Sequence, residues 1–231
     1  MASYRVRVLN VCEPQPRKNL MGLVRTWMTA TSPADDAILI VKLTLSSRRS
    51  ASDLVRQLAG LQLALGRGLH EAAPILFTDR LLGEDEMPGL YTAATHYWSM
   101  SCGEGWELPM TEAAAAGLRL IAPRHSAYLA YLDDSVAQLV PSSPMPAETS
   151  GDPWIAELFA GAQWWQPDAG AAAQALRNAI DGRDTPAASA RDRLAASFTW
   201  PHAAARLAGI LADLHAEHGG MACRSRSIPA T

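Results

Sequence analysis

Cysteine is scarce: positions 12, 102 and 223 are the three in 231 residues, and none falls in a Cys-x-x-Cys spacing. That excludes a disulfide framework and a thiolate zinc site, and a reducing compartment, the cytoplasm, is the expected home. Long apolar runs are missing too. No stretch reaches the roughly 18 to 20 residues that a membrane-spanning helix needs, and Met1–Asn10 has arginines at 5 and 7 without a signal-like apolar segment. Charge of one sign is equally short. Twenty basic against 23 acidic residues leave a net charge of -3, too weak a cationic field to grip a nucleic-acid backbone, so any bound phosphate must be held by a few local groups. No Gly-x-Gly-x-x-Gly follows the first strand-like segment, which argues against a nicotinamide dehydrogenase.

What the chain does have is apolar residues, at 48%, enough for a full core in one domain. Tyr4–Val11, Ala37–Leu43, Ile75–Phe77, Thr95–Trp98, Leu118–Ala122 and Ala137–Val140 read as strands. Between them lie helical stripes: Leu20, Leu23, Val24 and Trp27 behind Asn19 as a cap, then Leu54, Val55, Leu58, Leu61 and Leu65. Glu84, Asp85 and Glu86 read as a solvated turn before a helix near Met87. Alternation of this kind predicts an α/β fold, a Rossmann-like parallel sheet with helices on both faces, with ligands at the carboxyl ends of the strands. After Pro141 the residues Pro144, Pro146, Gly151 and Pro153 suggest a linker. Helical patterns at Ala169–Asp181, Ala187–Phe198 and His202–His215 are expected to pack back on the sheet, and 217–231 to form a flexible tail.

The segment richest in chemistry is Ser99–Gly117, SMSCGEGWELPMTEAAAAG, a glycine loop and short helix between two strands. Pro109 suits the first helical turn and Gly117 the left-handed position past its end. Gly103 and Gly105 let the loop backbone approach a ligand, and the helix start offers free amides and a positive dipole end, so a diphosphate is the natural guest. Glu104 and Glu112 would then flank one anion, and because carboxylates repel phosphates their partners would be hydroxyl groups at its two ends.

This segment resembles the Glu-x7-Glu motif of family 4 retaining glycosyltransferases with the GT-B fold, met by Glu104 and Glu112. EPQPRKNLMGLVRTW, MPGLYTAATHYWSMS, LRLIAPRHSAYLAYL and FTWPHAAARLAGIL are similar to other parts of that family's donor domain, in the same order. The resemblance implies a nucleotide-sugar domain over residues 1–216, with Lys18 and Arg17 on the diphosphate, Glu112 on the ribose and Glu104 on the transferred sugar. It also implies backbone contacts from Gly105, Trp106, Glu107 and Leu108 to phosphate and sugar oxygens, and a base pocket near Thr78. Glu104 and Lys18 would be the catalytic pair. Neither metal nor cofactor is implied, in keeping with the lack of an Asp-x-Asp pair. The acceptor-binding half is expected on a missing N-terminal portion or a partner chain. Two residues depart from the family pattern: Cys12 stands where an arginine is usual and Glu107 where glycine is common. A non-catalytic nucleotide-sugar-binding or interaction module is therefore the alternative.

Three further groups have plain structural readings. His125 is assigned a structural hydrogen bond, and Trp154, Trp164 and Trp165 are assigned packing. His215, His218 and Cys223 sit at a helix end rather than in a metal site.

Overall fold

The computed structural model describes residues 3–44, 51–147, 153–184 and 189–219. Cys223 and the side chains of Trp154 and His218 fall outside that description. The strands β1 (Val6–Cys12), β2 (Ala37–Leu43), β3 (Ile75–Thr78), β4 (His96–Trp98), β5 (Arg119–Pro123) and β6 (Gln138–Val140) form one sheet in the order β3-β2-β1-β4-β5-β6. Every pair in it is parallel. The sheet is the expected α/β arrangement, and its strand order reverses between β1 and β4. At such a reversal the two flanking loops diverge and leave a crevice at the carboxyl ends.

Apolar residues on the two sheet faces belong to two separate cores. Val6, Val8, Ala37, Leu39 and Val41 pack with α1 (Leu20–Ala30), α2 (Ala51–Leu65) and α7 (Ala169–Ile180). Leu9, Ile38, Ile40, Tyr97 and Leu120 pack with α3 (Met87–Thr92), α4 (Leu108–Ala115), α5 (Tyr128–Tyr131) and α8 (Ala190–Ser197). Trp27 anchors the first core, fully buried, with its indole N–H donated to the Ala73 carbonyl at 2.8 Å. Burial of a large aromatic with its polar atom satisfied is among the strongest single contributions a core can contain.

The C-terminal third departs from expectation. Residues read as a linker form β7 (Ser142–Pro146), which pairs antiparallel with β8 (Gln163–Pro167) in a separate two-stranded sheet. Pro144 and Pro146 lack an N–H, and a ribbon with free edges tolerates them. Pro153 opens α6 (Pro153–Leu158). Of the last three helices, α7 packs on α1 and α8 on α4, but α9 (Trp200–Gly219) does not return to the sheet. Its residues from Trp200 to Glu217 are all exposed, and the helix continues past residue 217, where a tail was expected. Asn19 makes no side-chain cap. It takes the left-handed conformation, φ 51°, between a 3-10 turn at Pro16–Lys18 and α1.

A polar clasp closes the amino ends of the strands. Asp184, just after α7, accepts two hydrogen bonds from Arg119 at 2.8 and 2.9 Å, and lies 2.9 Å from His96 Nε2. Burial lowers the His96 pKa against the opposing pull of Asp184, so the ring is neutral near pH 7. Two cavities of about 340 and 470 Å³ open beside this clasp at Leu118 and Arg119, at the end of the sheet opposite the crevice.

Asp184→Ala should lower stability by about 1.5 to 3 kcal/mol, because it removes a buried carboxylate and leaves buried His96 without its partner, while half-exposed Arg119 can turn to water, with a smaller loss for Asp184→Asn. Urea unfolding followed by circular dichroism would measure both, and an unchanged midpoint for the alanine variant would show the clasp to be dispensable.

Candidate functional site

The loops that follow β1 and β4 meet over the crevice. Cys102 N–H donates to the Arg17 carbonyl at 2.6 Å, and the Arg17 guanidinium returns a bond to the Gly103 carbonyl at 2.9 Å. Within that frame Glu104 is held from three directions. Lys18 Nζ lies 2.5 Å from Glu104 Oε1, Arg17 lies 3.0 Å from Oε2, and Ser101 Oγ donates to Oε1 at 2.7 Å. Its side chain is 5% exposed and that of Lys18 12%, so these ion pairs work in a medium where water screens them little. The structure thus brings together Arg17, Lys18 and Glu104, with the carboxylate in direct contact with both cations. Ser101 completes the group; nothing in its spacing marked it.

Beside them begins α4. The amides of Gly105, Trp106, Glu107 and Leu108 have no acceptor among the described residues, and Pro109 removes a further donor from the first turn. Gly105 faces open space, since a Cβ there would meet nothing within 4 Å, whereas one at Gly103 would come within 3.2 Å of the Trp164 ring. Gly103 is therefore small so that the β7–β8 ribbon can close on the loop. Trp165 N–H ties the same ribbon to the Cys102 carbonyl at 2.8 Å. His125 lies 2.8 Å from the Ser101 carbonyl and stacks on Trp165. Trp106 packs between Tyr131 and Phe198, with ring centroids 4.8 and 5.6 Å away, so its side chain anchors the loop.

Glu112 lies on the exposed side of α4 and accepts a hydrogen bond from Tyr91 at 2.5 Å. Thr78 sits at the end of β3, two strands from β1, apart from the Lys18 group. Glu107 turns inward. Its backbone is left-handed, φ 59° and ψ 78°, a region that costs a residue with a Cβ about 1 to 2 kcal/mol and glycine almost nothing. Its carboxylate is buried and accepts from Tyr128 and, at 3.3 Å, from Tyr97, and Ser99 Oγ lies 2.9 Å from the Tyr128 hydroxyl. Desolvation, reinforced by the negative Glu104, raises its pKa from an ordinary 4.5 to about 7, against the opposing pull of Lys18 and the hydroxyl donors.

No family profile matches the chain, and no curated protein does. Solved structures do match. Sucrose-phosphate synthase from Thermosynechococcus elongatus is 20% identical with a TM-score of 0.61, over 94% of this chain and 47% of its own. The α,α-trehalose 6-phosphate synthase from Burkholderia multivorans is 15% identical with a TM-score of 0.60, over 100% of this chain and 46% of its own. The C-terminal domain of a group 1 glycosyl transferase from Francisella tularensis is 16% identical with a TM-score of 0.52, over 85% of this chain and 88% of its own. The chain therefore has the fold of the C-terminal domain of GT-B glycosyltransferases, and it spans about half the length of the two longer proteins.

Glu107 binds its proton more tightly when folded than when unfolded, so wild-type stability should fall as pH rises from about 4.5 to about 7 and flatten above. Glu107→Gln carries no such proton. Its stability relative to wild type should climb across that window in pH-dependent urea unfolding, and a difference that stays constant with pH would refute a carboxyl titrating there.

Proposed function

We propose that this chain is the donor-binding domain of a retaining glycosyltransferase, moving a hexose from a nucleoside diphosphate sugar to an acceptor held by another domain or chain. The observation that carries the reading is the meeting of Lys18, Arg17 and Glu104 beside the start of α4, in the crevice where the strand order reverses. Lys18, Arg17 and the amides of Gly105 to Leu108 supply donors for a diphosphate. Glu112 would take the ribose hydroxyls, and Thr78 marks the base end.

In the proposed transfer the bond from the anomeric carbon to the diphosphate oxygen breaks, and its electron pair leaves with the diphosphate. The acceptor oxygen bonds to the same face of that carbon and gives its proton to the departing phosphate. Lys18, Arg17 and the helix amides stabilise the growing charge, the role that a divalent cation fills in other phosphate sites. Glu104 already occupies both cations, so donor phosphates compete with it. Once displaced it is free to accept from sugar hydroxyls.

Calorimetric titration with ADP, GDP, UDP and their sugars tests the reading. Binding of a nucleoside diphosphate should survive chelator unchanged; binding that requires magnesium or manganese would remove Lys18 and the amides from the phosphate role. Lys18→Ala should weaken the diphosphate by about 1.5 to 3 kcal/mol and leave the free nucleoside alone. Glu104→Gln releases Lys18 and Arg17, so it should tighten plain diphosphate while weakening the nucleotide sugar relative to it. Weakening of both by the same factor would contradict competition between Glu104 and the phosphates.

A further inference from the structure

Lys42 is the one charged residue in the apolar strand β2, AILIVKL, and it is 6% exposed. Among the described residues its ammonium makes a single hydrogen bond, 2.7 Å to the Leu43 carbonyl, and pairs with no carboxylate. An ammonium has three N–H donors, and burying its charge without opposite charge or further acceptors is costly. The core does not need it there, because the preceding residues on the same face are Ile38 and Ile40.

Its position is fixed by the backbone. Thr44 N–H donates to the Cys12 carbonyl in β1 at 3.1 Å. The Leu43 carbonyl belongs to the same planar trans peptide and points the opposite way, toward β3. Lys42, held by that carbonyl, therefore lies on the β3 side, and its register partners are Val11 and Thr78 at the carboxyl ends of the neighbouring strands. Ile38 and Ile40 place it on the sheet face covered by α3 and α4, where Tyr91 holds Glu112. The Lys18 group belongs to the loops after β1 and β4, and Lys42 to the end of β2.

We propose that Lys42 is a further donor-binding residue, giving its remaining N–H groups to acceptor atoms of the nucleoside, in the ribose or the base. The inference rests on the donor-site reading and adds a contact at the nucleoside end. Unlike Lys18, Lys42 has no carboxylate competing for it among the described residues.

Lys42→Met keeps the apolar stem and removes the ammonium; Lys42→Gln keeps donors without the charge and serves if methionine disturbs folding. Wild type and both variants are titrated with inorganic pyrophosphate, with ADP, GDP and UDP, and with their 2′-deoxy forms. Pyrophosphate affinity should stay within about twofold, while the best-bound nucleoside diphosphate weakens about 10-fold in Lys42→Met, the size of one charge-assisted hydrogen bond. The melting temperature without nucleotide should not fall, because a lone buried charge is lost. If the 2′-deoxy nucleotide escapes the loss, the 2′-hydroxyl is the partner; if it suffers equally, the partner is another ribose oxygen or the base. Equal weakening of pyrophosphate and nucleotide, or unchanged nucleotide affinity with a lower melting temperature, overturns the proposal. Wild type binding none of the nucleotides would instead overturn the donor-site reading, a result distinct from wild-type binding that the variants leave untouched.

Discussion

The ion pair between Lys18 and Glu104, 2.5 Å long and largely shielded from water, is the constraint on which the crevice depends. It joins the loop after β1 to the loop after β4, the two segments that the strand reversal drives apart. A buried pair of this sort repays its desolvation only when the remaining lone pairs are satisfied, and Arg17 and Ser101 supply that. With the loop pinned, α4 starts at a fixed place, its first amides without an acceptor among the described residues. The pair gives the site its shape and also neutralises it, which sets the terms on which an anion can enter.

Glu107 carries the opposite kind of burden. A left-handed backbone and a buried carboxylate near Glu104 are both unfavourable, yet the hydroxyls of Tyr97 and Tyr128 converge on it. Those hydroxyls come from β4 and α5, so the same carboxylate that strains the loop ties it to the sheet. Local cost and tertiary anchoring are combined in one residue.

Much of the fold could be read directly from the residues. Apolar runs marked β1 and β2, and Pro109 with Gly117 bracketed α4, with Gly117 at φ 83° as a left-handed terminus requires. The β7–β8 ribbon was hidden because its prolines look like punctuation, and their tolerance depends on an edge that only the tertiary structure creates. Glu104 and Glu112 were visible as a spaced pair, but the grip of Arg17 and Lys18 on Glu104 was not. Arg17 and Glu104 are 87 residues apart in the chain, and their contact follows from β1 and β4 becoming neighbours. The inward turn of Glu107 was equally hidden, since a glutamate in a polar loop reads as solvated. Lys42 did leave a trace, a single ammonium inside a strand otherwise fit for a core.

The exposed helix α9 divides the molecule into two regimes of persistence. Its side chains from Trp200 to Glu217 face water, including Leu207 at 57% and Leu211 at 57% exposed, so burial does little to hold it helical. What holds it is the intrinsic preference of alanine, leucine and arginine over five turns or so. The amides of β1 and β2 should exchange through global unfolding and those of α9 through local fraying. In isotope exchange the chain would therefore report two clocks, a slow one for the sheet and a fast one for its last helix.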